Sequence, residues 1–292
     1  MGFVFGIGSA FFFALSSVLI RIGQRHRTGD DGVLMTVSVN VVVLGLAASL
    51  AVRPPWSATG VVALLAAGVV GSVLGRSFNL RAVRMIGSTR SSAFITGTPV
   101  AAAAVGWIVL EEAVSPIEGF GGLLVIGGLL WLIRLRAGPA GLATGERVPT
   151  RFYVIAALAP MFFGTAFVMR KWGLQRFDSS VIGAFLGATA AFAVLMSVDV
   201  IRGAIRDRIA ANVHAIPWWF VAAGVTTSIA LLSQFSAFAY LPAWVVGILQ
   251  ATQGIWAIGL GMLFLKGDEH VDWHLMASVA LVVSGVVLIG IQ

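Results

Sequence analysis

Apolar stretches of about twenty residues follow one another along nearly the whole 292-residue chain, and this succession constrains the fold more than any motif does. A helix needs roughly 20 residues to cross about 30 Å of hydrocarbon, so uncharged runs of that length read as membrane spans. Ten are placed, over 3–22, 32–52, 59–80, 88–110, 116–134, 152–172, 179–201, 218–240, 243–265 and 272–291. Turn chemistry separates them in TGDDG, RPPW, MIGS, EEAVSP, LPAW and KGDEHVD. The expected fold class is an all-α integral membrane protein of ten transmembrane helices.

Composition agrees. Charged residues make up 11% of the chain, against about 25% in soluble proteins, and 59% of residues are hydrophobic. The net charge of +7 is scattered between apolar segments rather than gathered in one patch, which speaks against nucleic acid as a partner. The partner implied is the lipid bilayer, and the chain reads as a monomer. There is no cysteine, which excludes disulfides, thiolate metal sites and a thiol nucleophile. MGFVFGIGSAFFFALSSVLIRIG has no basic n-region, and its apolar run exceeds the roughly 7–15 residues of a signal peptide, so it is expected to stay as the first span. Arginine outnumbers lysine 17 to 2, a bias common in GC-rich bacteria and consistent with a bacterial inner membrane. Basic residues near span ends number 13 on the side of the odd-numbered loops and 4 on the other, which puts the odd loops in the cytoplasm.

The longest polar stretch, RLRAGPAGLATGERVPTR, lies at the centre of the sequence. It divides the chain into a first five-helix half (1–136), a linker (137–150) and a second half (151–292). FFFALSSVLIR at 11–21 overlies MFFGTAFVMRK at 161–171. At an offset of 155, Asn79 falls on Gln234, Ala82 on Ala237, Gly87 on Pro242, Pro99 on Gly254 and Gly106 on Gly261. Two further residues then carry Glu112 onto Glu269 and Gly128 onto Gly285. An odd number of spans per half makes the repeats inverted, an arrangement that places a substrate path around a central cavity near the midplane.

The pattern spelled by Ala82, Arg84, Gly87, Pro99, Gly106, Glu112, Gly119 and Gly128, with its degenerate second copy, resembles the ten-helix EamA-type branch of the drug/metabolite transporter superfamily. Within that branch the chain is most similar to the YddG group of amino-acid exporters. The second copy departs from the pattern, with Gly254 in place of the proline and the glutamate displaced by two residues. The resemblance implies a transport fold but leaves the substrate open, because the superfamily carries amino acids, drugs, sugar phosphates and nucleotide sugars.

At 100° per residue, Gly68, Ser72, Arg76 and Asn79 share one face of the third helix, and this polar stripe is expected to point into the bundle. Arg81 and Arg84 read as anchors at its cytoplasmic end. Arg76 lies about 7 Å inside that end. Its forked donors suit a substrate carboxylate, and the alternative is that it snorkels to the interface. The repeat places Leu231 opposite it, so a single-carboxylate substrate fits. Asn79, Gln234, Asn40, Gln250 and Gln253 must face one another, water or substrate, as helix-to-helix glue or as ligand contacts. Phe78, Trp107, Phe163, Phe167, Trp244 and Trp256 either wall an apolar cavity or pack and belt the interface. Pro99 and Gly254 mark helix breaks, where freed carbonyls line a cavity or are satisfied by neighbours.

His270 and His274 are four apart with acids nearby, but the segment begins in a loop and supplies no third histidine or buried shell, so neither a metal nor another cofactor is expected. There is no Walker loop, no GxSxG elbow and no facing carboxylate pair, so an enzyme is not expected. The first helix offers only Ser16 and Ser17 where a proton-coupled exporter of cationic drugs keeps an acid. The expectation is a facilitator that exports neutral, especially aromatic, amino acids by alternating access. The alternatives are a carrier of other small metabolites or amphipathic drugs, proton-coupled or not, and a membrane protein that does not transport.

Overall fold

The computed structural model describes residues 1–26, 32–52, 54–86, 88–142, 149–201, 203, 218–265 and 273–291. Among these, every regular element is helical. In chain order they are α1 (Gly2–His26), α2 (Val33–Leu50), α3 (Ala58–Gly68), a π-helical segment (Val69–Gly75), α4 (Arg76–Ile86), α5 (Ser88–Ile95), α6 (Thr98–Leu110), α7 (Pro116–Leu142), α8 (Thr150–Arg176), α9 (Ser180–Ile201), α10 (Trp218–Tyr240), α11 (Ala243–Ala251), α12 (Gln253–Leu265) and α13 (Trp273–Gly290). Nine helical stretches of the described chain are long and apolar enough to cross a membrane, and Met276–Gly290 adds a shorter apolar helix. The chain is an all-α integral membrane protein, as its apolar periodicity requires.

Three of the spans are interrupted. The third passes through the π segment, where wider i→i+5 bonding turns the chain by less per residue than an α-helix does. The fourth breaks at Thr96–Gly97, two residues before Pro99, which occupies the first turn of α6, where a missing N–H costs nothing. The hydroxyls of Thr96 and Thr98 donate to Ala93 O and Ile95 O, both at 2.7 Å, and so satisfy carbonyls that the break frees. The ninth breaks at Thr252, with Gly254 one residue beyond the start of α12, and Thr252 Oγ1 likewise donates to Leu249 O at 2.6 Å. Thr252 lies 155 positions after Gly97, the same offset that aligns Asn79 with Gln234.

The contacts sort the chain into two compact units that cut across its sequence halves. The first comprises Met1–Val69, Met169–Tyr240 and Gln253–Asp268. In it α1 packs along α10 and against α12, α2 lies on α9 and α10, and α3 lies on α9. Small residues bring these backbones together, as they do wherever lipid supplies no hydrophobic drive to helix association. Gly68 meets the backbone of Gly187, and a Cβ on Gly224 would stand 2.6 Å from Val39 Cβ. Phe220, Phe235, Phe238, Leu44 and Leu64 are fully buried there.

The second unit comprises Val70–Val168, Leu241–Thr252 and Glu269–Gln292. Here α7 packs along α13, α11 lies on α6, and α5 bridges α4 and α7. Gly121 and Gly285 face each other's carbonyls, and Gly164 reaches the backbone of Ala101 and Ala102 on α6.

Candidate substrate-binding residues

The residues singled out from sequence divide between the two units. The first unit holds Asn40, Gln234, Gln253 and Trp256, and the second holds Ser72, Arg76, Phe78, Asn79, Trp107, Phe163 and Gln250.

Asn40 on α2 is buried against α10. With its amide turned so that donors meet acceptors, Nδ2 lies 3.1 Å from Ser228 Oγ, 2.7 Å from Gly224 O and 3.2 Å from Thr36 O. That set consumes the amide's donors, so Asn40 joins two helices. Gln234 is more deeply enclosed, at 2% exposure, and its Oε1 accepts from Arg170 Nη1 at 2.6 Å. Gln253 is different. It opens α12, is half-buried, and donates from Nε2 to Ser17 Oγ on α1 at 3.2 Å. One turn further, Trp256 meets Phe11 edge-on with ring centroids 5.5 Å apart and remains 39% exposed. Beside them Ser16 pairs with Thr227 at 2.6 Å and donates to Ala223 O at 2.9 Å. Between α1 and α12 this unit therefore holds a half-buried amide, the Ser17 hydroxyl and two aromatic rings, while Ser16 joins α1 to α10.

In the second unit, Asn79 Oδ1 accepts from Ser91 Oγ at 2.9 Å, joining α4 to α5. Phe78 stacks at a tilt on Phe162, with centroids 5.2 Å apart, and Arg81 Cζ lies over the Phe78 ring, 5.6 Å from its centroid. Phe163 fills the space that a side chain on Gly75 would take. Arg76 opens α4 with an exposed side chain, and Ser72 is half-buried. The π segment changes the phase of the 100° stripe: Gly71 and Gly75 are buried, Ser72 is half-buried, and Arg76 and Ser77 are exposed. Trp107 on α6 is 69% exposed. Phe167 and Trp244 are core residues, both buried. Gln250 is half-buried near the end of α11 and makes a polar contact of its own.

Arg170 escaped the sequence reading. Ending the sixth span at 172 makes Arg170 a terminal anchor, whereas α8 runs on to Arg176, and the residue is buried with its guanidinium 5.4 Å over the Phe235 ring. KWGLQR contains no Asn, Asp or Pro, and Gly173, which reads as a stop just after Trp172, is instead a close-packing position, where a Cβ would stand 2.8 Å from Leu64 Cγ and 3.2 Å from Gly60 O. His274 meets Trp131 edge-on at 6.1 Å. Gly87, Glu269, His270, the linker core 143–148 and the side chain of Arg90 lie outside the described residues.

No curated protein matches the sequence. A solved structure described only as "Crystal structure of protein" is similar over 99% of this chain and 97% of its own, with a TM-score of 0.68 at 15% sequence identity, a likeness of fold alone. The sequence profile of the EamA-like transporter family matches residues 1–134 and 150–291. Nearly the whole chain is covered, and the protein belongs to the EamA-like transporter family of the drug/metabolite transporter superfamily.

Proposed function

We propose that this transporter exports neutral amino acids, aromatic and other hydrophobic ones foremost, by facilitated alternating access. The observation that carries the reading is Arg76, an exposed guanidinium at the junction of the π segment and α4, with Phe78, Phe162 and Phe163 in the same unit. A forked cation suits one carboxylate, and nearby rings suit an apolar side chain. Ser72 and Gln250 in this unit supply further polar contacts. Asn40, Asn79 and Gln234 are assigned to helix joining, because their amides are engaged by neighbouring side chains. The protein is placed in a bacterial inner membrane as a monomer, with odd-numbered loops in the cytoplasm.

Asp199 favours a second reading, proton coupling, because it is a buried carboxylate within α9. One experiment separates the readings. Purified protein in liposomes is offered a panel of labelled amino acids, sugar phosphates and cationic drugs, with and without an imposed pH gradient. Facilitated export gives phenylalanine equilibration that a pH gradient does not concentrate. Concentrative uptake driven by the gradient overturns facilitation, and flux of the drugs without the amino acids overturns the substrate class.

A further inference from the structure

Helix α11 is the most enclosed short element of the second unit, with every residue from 243 to 249 buried. Its N-cap, Pro242, supplies no side-chain cap. The first amide of α11 is instead taken by a residue 131 positions earlier: Ala243 N–H donates to both carboxylate oxygens of Glu112, at 3.1 and 3.0 Å. A carboxylate at this end of a helix gains from the charge-assisted bond and from the partial positive charge of the helix terminus.

Several features at the end of α6 serve this contact. Glu111 is the only non-glycine described residue with positive φ, at 56°, and that left-handed turn folds the chain back so that Glu112 N donates to Gly106 O at 3.3 Å. Gly106 leaves room for the carboxylate, since a Cβ there would stand 2.9 Å from Glu112 Oε2. At its middle, α11 rests on the start of α6, where a Cβ on Gly247 would lie 3.3 Å from Pro99 Cα. The two helices are therefore antiparallel and joined at two levels, by Glu112 at one and by Pro99 and Gly247 at the other. Each is also half of an interrupted span, so neither is held along its length by a continuous helix of its own.

We propose that Glu112 is a positioning residue for transport, whose carboxylate couples α11 to α6 so that the two half-helices move as one body through the carrier's cycle. This rests on the chain being a carrier and not on its cargo.

In liposomes with labelled phenylalanine, E112A loses about tenfold in maximal flux at near-constant apparent affinity, as loss of a hydrogen bond to a charged group implies. E112Q, which keeps one acceptor oxygen, falls between E112A and the unaltered protein. Amide exchange at residues 243–246 accelerates in E112A and in G106A, and the double variant G106A/E112A exchanges no faster than E112A. An E112A variant that transports at full rate, or unaltered exchange at the start of α11, overturns the proposal. The exchange measurement needs no substrate, so a failure of phenylalanine to move in the unaltered protein counts against the proposed cargo and leaves Glu112 to be decided by exchange.

Discussion

Arg170 donates from Nη1 to Oε1 of Gln234 at 2.6 Å, with both side chains buried inside the first unit. Phe235, the residue after Gln234, lies under the guanidinium, and its carbonyl accepts from Ser180 Oγ at 3.3 Å. The cluster thus ties α8, α9 and α10 together around a charge that cannot reach water. Removing one partner of such a contact leaves the other desolvated, so Gln234→Leu is expected to destabilise the protein by about 2–3 kcal/mol. Arg170→Lys is expected to fall short of the native residue as well, because an ammonium lacks the flat face that stacks on a ring. Thermal unfolding in detergent measures both. A Gln234→Leu protein that melts with the unaltered one would remove the contact from the stability of the unit.

At the crossing of α3 and α9 the two glycines are unequal. A Cβ on Gly68 would overlap Gly187 O and come within 2.8 Å of Gly187 Cα, backbone atoms that have nowhere to go. A Cβ on Gly187 would find Leu64 O at 3.7 Å, Phe235 Cζ at 3.8 Å and Gly68 Cα at 3.9 Å, all ordinary contacts. Gly68→Ala is therefore expected to cost about 3 kcal/mol or to prevent folding, while Gly187→Ala costs less than about 1 kcal/mol. Folded yield and melting temperature of the two variants, compared side by side, test the asymmetry; equal behaviour would refute it.

The spans were legible because a run of twenty apolar residues has few other stable fates, and Pro99 and Gly254, which the offset of 155 aligns, each lie two residues beyond a break at Gly97 or Thr252. What escaped was angular and terminal. The arithmetic that grouped Gly68 with Arg76 assumed one helical pitch throughout, and seven π-helical residues between them alter the phase. Arg170 pairs with Gln234, an acceptor 64 residues further along the chain, a pairing that no local pattern encodes. Asn40 and Asn79 were recognisable as groups in need of partners, but whether Ser228, Ser91 or a ligand supplies them depends on tertiary contacts.

If Arg76 holds the substrate carboxylate, Arg76→Ala should lower phenylalanine flux by at least about tenfold, and Arg76→Lys should recover part of it, because an ammonium keeps the charge but not the fork. The proper control is Arg84, exposed in the last turn of α4, since Arg81 stands over Phe78 and its removal disturbs a neighbouring ring. Initial rates at equal protein incorporation give the comparison. Equal loss at positions 76 and 84, or none at either, would take Arg76 out of the site.

Glu111 offers the opposite kind of substitution, one expected to stabilise. It sits at φ 56° and ψ 28° after α6, a conformation that costs a residue with a Cβ about 1 kcal/mol relative to glycine. Its side chain is exposed, and the cap of α11 belongs to its neighbour Glu112. Glu111→Gly gives up some unfolded-state restriction but relieves the strain, and glycine is the usual occupant of this position at a helix end. The expected result is a gain of up to about 1 kcal/mol in thermal stability with unchanged flux. A lower melting temperature would show that the Glu111 side chain contributes a contact worth more than the strain it imposes.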